Sequence, residues 1–325
     1  FNQPMTIAQI SFDKNDAVVD HMLMCGDTAG LIHPLCGNGM AMAIHSAKIA
    51  SELVVRFLDD STYARHQLEG DYTKVWSKTF SKRLWFGRKL QRMLTQRSTE
   101  IEIMDTFSGT TKELAIILQD INRVNRLLGG YSITLSAVFK LLALENKKSY
   151  TILDMGCAEG TILRKLAMEA RKRNITLKLI GVDLNKQGLE LATYYSTEYP
   201  EITYLEADIL TTDFSSYNID VVMTTLTLHH FTDKGVIQFV NQFNSLASLG
   251  VVINDLDRNP IAYYLFKAFS FFFIKTEIAK KDGLLSIRRA FKKKDLIRYA
   301  AQVKNASHQI EWKWAFRYVW VLKKK

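Results

Sequence analysis

Between Thr151 and Asp183 the chain sets three acids around two glycines. A short apolar run, Ile152 to Met155, carries Asp154, and the turn Gly156-Cys157-Ala158-Glu159-Gly160 follows it. Ile162 to Ala170 then has helical spacing, and Leu177 to Asp183 is a second β-rich run that closes on an acid. A strand, turn, helix and strand in this order hold a nucleoside: small residues let the backbone approach the ligand, and an acid about 20 residues on takes ribose hydroxyls. Charge decides which nucleoside. A dinucleotide rests its pyrophosphate on the helix N-terminus, whereas Asp154 and Glu159 flanking the glycines would repel phosphate. The spacing Gly-x-Ala-x-Gly also departs from Gly-x-Gly-x-x-Gly. A ligand with a cationic amino-acid end and no phosphate fits better. The second chemistry-bearing pair is His229-His230, which follows the apolar run Ile219 to Met223. An imidazole titrates near neutral pH and can take a proton from an acceptor.

The elements that must position these residues alternate between strand and helix. Lys112 to Leu128 has apolar residues at Leu114, Ile117, Leu118, Ile121, Val124, Leu127 and Leu128, a helical pattern that Gly129-Gly130 stops. Ser132 to Leu144 is a second helix ahead of the first strand. A third strand, Ile202 to Leu205, ends in Glu206-Ala207-Asp208-Ile209, and the fourth, Ile219 to Met223, leaves through Thr224-Thr225-Leu226-Thr227-Leu228 to the histidines. Val251 to Asp255 is the fifth. It leads to Leu256-Asp257-Arg258-Asn259-Pro260 and an apolar helix over 261–274. The helix Lys294 to Gln302 precedes two last strands, His308 to Trp314 and Arg317 to Leu322, which form a closing antiparallel hairpin. This order implies an α/β fold with helices on both faces of a largely parallel, seven-stranded sheet.

A chain of 325 residues allows two domains. It begins at Phe1 rather than Met, so an incomplete N-terminus is expected. No charged-then-apolar leader is visible, and no apolar run reaches the roughly 18 to 20 residues that span a bilayer. The longest, 261–274, contains Lys267 and reads as a buried or lid helix, with interfacial membrane contact as the alternative. Cys25, Cys36 and Cys157 lack metal spacing, so a reduced, cytoplasmic setting and no metal site are expected. The net charge of +10 is uneven: Lys275 to Lys325 holds 15 Lys/Arg against 4 Asp/Glu. This tail is expected to be a solvated basic face, or to meet nucleic acid, anionic lipid or an acidic carrier protein.

The turn and its second acid resemble the Rossmann-like S-adenosylmethionine (SAM) methyltransferases, whose first motif reads acid-x-Gly-x-Gly-x-Gly, with Ala158 in place of the middle glycine. The resemblance implies SAM as cofactor and a cofactor site of Asp154, Gly156, Cys157, Ala158, Gly160, Asp183, Leu184, Asp208, Ile209 and Thr225. In that family the acid at Asp208 bonds the adenine amino group, and the residue at Ile209 packs on the ring. The ending Leu228-His229-His230-Phe231 is similar to that of methyltransferases related to quinone-biosynthesis enzymes, which act on small molecules. It is not the Asn/Asp-Pro-Pro-aromatic motif of nucleic-acid base methylases, and no base-flipping signature is present. Asn254-Asp255-Leu256-Asp257-Arg258 resembles methyltransferases encoded beside type III polyketide synthases. Leading helices in such enzymes close over the substrate, which makes Asn122, Arg123 and Asn125 candidate contacts.

The first hundred residues carry a different resemblance. Cys25-Gly26-Asp27-Thr28-Ala29-Gly30, then Pro34-Leu35-Cys36-Gly37-Asn38-Gly39-Met40 and a helix from about Ala41 to Leu58, are similar to the second flavin motif of FAD-dependent monooxygenases and geranylgeranyl-reductase-like oxidoreductases. The resemblance implies that Asp27 faces the flavin ribityl chain. It places Pro34, Gly37, Asn38, Gly39 and Met40 against the ring, where a helix N-terminus stabilises a reduced flavin. The unit that would hold the ADP half of FAD is missing from residues 1 to 25, so FAD binding is expected only if a preceding part were present. Residues 61 to 103 read as the helical tail of this fragment, with Trp76, Phe80 and Trp85 as packing residues. The expected domains are therefore 1–103, a mainly helical flavoprotein fragment, and 104–325, a SAM-dependent methyltransferase. Met104 could serve as a start codon, and fusion or read-through of adjacent genes are both open.

The expected function is methyl transfer from SAM to an oxygen, or a carbon, of a small hydrophobic polyketide-like or phenolic metabolite. His229 or His230 is the candidate general base, since only one of two adjacent side chains should face the pocket. The rings at Tyr263, Tyr264, Phe266, Phe269 and Phe271 to Phe273 suit an apolar acceptor, and core packing explains most of them. An RNA methyltransferase using the basic tail, or an inactive SAM-binding fusion, are the alternatives; nucleic acid is not the expected partner.

Overall fold

The computed structural model describes residues 16–29 and 39–325. Two compact units divide between Gln96 and Arg97. The sequence places the boundary after residue 103, but 97–106 belong by their contacts to the second unit, where the 3-10 turn Ile103–Thr106 rests on Asp282.

In the first unit a short hairpin, β1 (Val18–Val19) and β2 (Met22–Leu23), leads through a 3-10 turn at Gly26–Ala29 to helices α1 (Gly39–Asp59) and α2 (Arg65–Thr95). Met42 and Ile49 of α1 pack on Tyr72, Trp76, Phe80 and Leu84 of α2. The Tyr72 hydroxyl donates to the Met24 carbonyl at 2.7 Å. Trp76 and Phe80 are packing residues as expected, but Trp85 is 60% exposed, because the apolar stripe of α2 runs through Tyr72, Trp76, Phe80 and Leu84 and leaves position 85 off it.

The second unit opens with α3 (Thr111–Leu127) and α4 (Gly130–Leu142). A reciprocal capping box of Thr110 and Glu113 starts α3, and Gly129 in the left-handed region (φ 70°) ends it. There follow β3 (Ser149–Met155), α5 (Thr161–Lys172), β4 (Thr176–Asp183), α6 (Lys186–Tyr195), β5 (Ile202–Glu206), β6 (Val221–Thr225), α7 (Asp233–Leu246), β7 (Gly250–Leu256), α8 (Pro260–Phe273), α9 (Glu277–Arg289), α10 (Lys293–Ala300), β8 (Ala306–Lys313) and β9 (Arg317–Lys324). The strand order is β5-β4-β3-β6-β7-β9-β8, and β9 is antiparallel to both neighbours.

Alternation along the strands builds two cores. Leu153 and Met155 face α7 and α10 with Ile180, Val182 and Val222, while Ile152 faces α4 and α5 with Leu179, Val221 and Met223. Three helices, α6, α7 and α9, were not read from the sequence. Side-chain caps start the first two: Asn185 accepts from Gly188 N and Thr232 from Gly235 N. The fourth strand begins two residues later than 219, because Asn218 is left-handed (φ 50°) and Asp220 turns its carboxylate to Thr151 N and Lys147. The aromatic helix also differs from expectation: Phe271 and Phe272 are 74% and 76% exposed, since α8 buries only Ala262 and Ser270.

At the β7–β9 pairing, a Cβ on Gly250 would stand 2.1 Å from the Leu322 carbonyl oxygen. Backbone there cannot yield without breaking the ladder, so Gly250→Ala should cost about 1–3 kcal/mol. Urea unfolding measures it, and an unchanged midpoint would contradict this register.

Candidate functional site

The carboxyl ends of β3 and β4 form the acid-bordered turn. Gly156 N and Cys157 N both donate to the Val182 carbonyl, at 2.8 and 3.0 Å, which folds the turn back onto β4. Gly156 (φ 81°) has no room for a side chain, since its Cβ would lie 2.5 Å from Thr227 Oγ1. Gly160 (φ 72°) starts α5 with Tyr204 against it. Ala158 keeps a left-handed φ of 47°, held by its N–H donating to Asp183 Oδ2 at 2.8 Å. Asp183 Oδ1 accepts from Asn185 N, and Leu184 beside it is exposed. Asp208 accepts from Leu210 N at 2.8 Å, and Ile209 is buried. Cys157 is buried, and burial pushes its thiol well up.

Asp154 stands apart from these acids. Its Oδ1 is buried with no hydrogen-bond partner. Burial, then the Asp183 and Glu159 carboxylates, raise it to about 8. Glu159 is itself buried; it accepts from Asn122 Nδ2 at 2.6 Å and from Thr161. An orphaned carboxylate among two others, reached over glycines whose Cβ positions are filled, is a place for a positively charged ligand without phosphate. The group that SAM brings to this position, an α-ammonium near a sulfonium, fits these residues.

Of the predicted contacts, Asn122 joins this turn, and the Tyr131 hydroxyl donates to its Oδ1. Asn125 and Arg123 do not. Asn125 Oδ1 accepts from buried Arg317 at 2.7 Å, and Arg123 donates to the Phe273 carbonyl at 3.0 Å. Thr225 meets Thr134 at 3.0 Å, and Thr134 in turn accepts from Asn254 Nδ2. Of the flavin-like residues, Pro34, Gly37 and Asn38 lie outside the described residues, Asp27 is in the 3-10 turn, and Gly39 and Met40 open α1. The basic tail is less superficial than its composition implies, because Arg289 and Arg317 are buried.

The histidines occupy a 3-10 turn, Leu228–His230, at the carboxyl end of β6. They do not diverge as neighbours in sequence were expected to: their ring centroids are 4.4 Å apart and both rings approach Glu102. Arg289 holds the turn by donating to both histidine carbonyls, and Arg97 donates to the carbonyls of His229 and Phe231. His229 Nδ1 lies 2.7 Å from Asp255 Oδ1, and the ring is 2% exposed. Burial lowers its basicity, but Asp255 and Glu102 outweigh this and raise it to about 9. So held, the His229 ring is sealed from an acceptor. Glu102, Asp105 and Asp255 were missed as site residues. The first two lie in what reads as a junction, where only their i, i+3 spacing marks a shared face.

Residues 152–249 match the model of a family described as a methyltransferase domain. Among solved structures, the plantazolicin methyltransferase BpumL in complex with SAH is 13% identical, with 66% of this chain and 91% of that chain covered and a TM-score of 0.50. Magnesium protoporphyrin IX methyltransferase from Synechocystis PCC 6803 with bound SAH is 16% identical over 61% of this chain and 84% of that chain, with a TM-score of 0.44. The sheet order, the acid-bordered glycine turn and the family match define the class: a SAM-dependent methyltransferase domain, with the enzyme and cofactor expected from the sequence. No helix among the described residues is long and apolar enough to cross a membrane.

Asp154 also sets a stability slope. Its folded pKa of about 8 exceeds the unfolded 3.8, so its contribution is full below about 4 and is lost as pH rises through 8. In ligand-free protein, Asp154→Asn should therefore gain stability relative to wild type as pH rises from 5 toward about 8. Parallel denaturant titrations at several pH values measure the difference, and a pH-independent one contradicts the assignment.

Proposed function

We propose that the chain transfers a methyl group from SAM to an oxygen, or a carbon, of a small hydrophobic acceptor of phenolic or polyketide-like type. The observation that carries this reading is the unpartnered, buried carboxylate of Asp154 between Asp183 and Glu159. When bound, SAM supplies a methyl group on a sulfonium with a good leaving group. The protein's part is then to align the reactants and exclude water. Asp154 and Glu159 attract the cationic end, Asp183 faces the ribose, and Asp208 with Ile209 frames the adenine. The exposed rings Phe271 and Phe272 of α8, with Ile261 and Leu265, offer an apolar approach for the acceptor.

The same proposal reads residues 1–96 as the C-terminal part of an FAD-dependent oxidoreductase that holds no flavin alone, joined to the methyltransferase by fusion or read-through. It places the protein in the reducing cytoplasm, where Cys25 and Cys157 are free thiols. It also assigns the basic tail to an acidic carrier protein or an anionic membrane surface. Purified chain should show no flavin absorbance; a stoichiometric yellow chromophore would overturn the fragment reading.

Asp154 provides the test of the main reading. A cation beside it favours the ionised form, so binding below about pH 8 must expel its proton, and affinity should rise between pH 6 and 8. Calorimetry of SAM binding in buffers of different ionisation enthalpy should detect this release. Asp154→Asn should remove the release and weaken binding roughly tenfold or more, the cost of about one lost charge-assisted contact. No heat with SAM from folded protein, or no S-adenosylhomocysteine formed with any phenolic acceptor, would refute the reading.

A further inference from the structure

We propose that Glu102, His229 and His230 form a binding site for one divalent first-row transition ion of the zinc type. One imidazole nitrogen of each histidine and one carboxylate oxygen all lie within 4.8 Å of one another. His229 Nε2 is 3.3 Å from Glu102 Oε1, and His230 Nε2 is 3.9 Å from Glu102 Oε2. Ligand atoms sharing a tetrahedral ion with bonds of about 2.0–2.2 Å stand about 3.3–3.6 Å apart, so the first separation already suits a common ion.

The second observation is independent of these distances. His229 Nε2 is buried and has no hydrogen-bond partner: it points toward Glu102 but out of line for a bond. Its other nitrogen faces the Asp255 carboxylate at 2.7 Å, and Asp255 Oδ2 also accepts the His229 backbone N–H. That anchor fixes the ring so that Nε2 is presented to the cluster. His230 has a carboxylate beside its other nitrogen as well, Nδ1 lying 2.9 Å from Asp105 Oδ1 without a hydrogen bond to it, and its Nε2 faces Glu102. Two imidazoles, each backed by a carboxylate and both facing a third, make the arrangement in which outer carboxylates orient metal-bound histidines.

The chemistry of the set selects the ion. Two nitrogens and one oxygen suit zinc, cobalt or iron(II) and do not suit magnesium or calcium, which take oxygen ligands. Glu102 Oε1 also accepts from Ser286 at 3.0 Å, which steadies the carboxylate without using its second oxygen. Such an ion would clip the 97–106 segment to the turn after β6. This inference does not rest on the identity of the methyl acceptor, and its readout is separate from SAM binding.

Metal-free full-length chain, prepared by chelation, is titrated with CoCl2 and with ZnCl2. The expected result is one equivalent of cobalt with visible ligand-field absorption, displaced by zinc, and a zinc-dependent rise in melting temperature. Glu102→Gln keeps the shape and His230→Asn changes the more exposed histidine, whose side chain is 22% exposed. Each should weaken cobalt binding at least tenfold while the heat of SAM binding persists. The control His308→Asn, remote in sequence from the cluster, should leave cobalt binding unchanged. No absorbing cobalt complex with folded, SAM-binding wild type overturns the site. So does cobalt binding that survives both Glu102→Gln and His230→Asn.

Discussion

The structure depends on how carboxylates at the carboxyl edge of the sheet are neutralised. Acids stand at or just beyond the ends of β3, β4, β5 and β7: Asp154, Asp183, Asp208 and Asp255. A buried ionised carboxylate is costly unless it is paired or hydrogen-bonded. Asp255 receives His229 and the backbone N–H groups of His229 and Leu256. Asp183 receives two backbone N–H groups, and Asp208 receives one. Asp154 alone among these four has a buried oxygen with nothing to accept from. Partnering thus separates the acids that hold the edge together from Asp154, which is left without a partner.

The same edge shows how α/β architecture converts sequence into chemistry. Strand ends that pack as neighbours in β4-β3-β6-β7 bring Asp183, Asp154, the His229 turn and Asp255 into one row, although they are far apart in the chain. Helix α4 is pinned into that row through Asn254, whose amide donates to the Gly130 carbonyl at 3.0 Å and to Thr134. Thr134 in turn meets Thr225. The polar groups between β6, β7 and α4 therefore set the position of the leading helices, from which Asn122 reaches Glu159.

The local parts of this arrangement were legible in the sequence. The strand, glycine turn and helix around residues 151–183 announce themselves because a positive φ favours glycine and a buried parallel strand is continuously apolar. The seven strands and the closing hairpin follow from the same runs. Three helices were not legible: α6 and α7 start from short polar caps inside polar stretches, and α9 mixes Lys, Asp and Gly with its few apolar residues. Glu102 was beyond reach for a different reason. Its partner His229 is 127 positions later, and neither periodicity nor motif links them. Trp85 and the Phe271–Phe272 pair show the converse: an aromatic residue reads as core, yet only the helix face it occupies decides whether it is covered.

The packing of residues 97–106 against α9 bears on where the second unit can begin. Arg97 and Glu102 lie upstream of Met104, yet they contact the β6 turn and the His229 ring. A polypeptide translated from Met104 would surrender the guanidinium that grips that turn and the carboxylate opposite His229 Nε2. Residues 97–103 are therefore part of the second unit, and a boundary drawn at Met104 would cut through its packing.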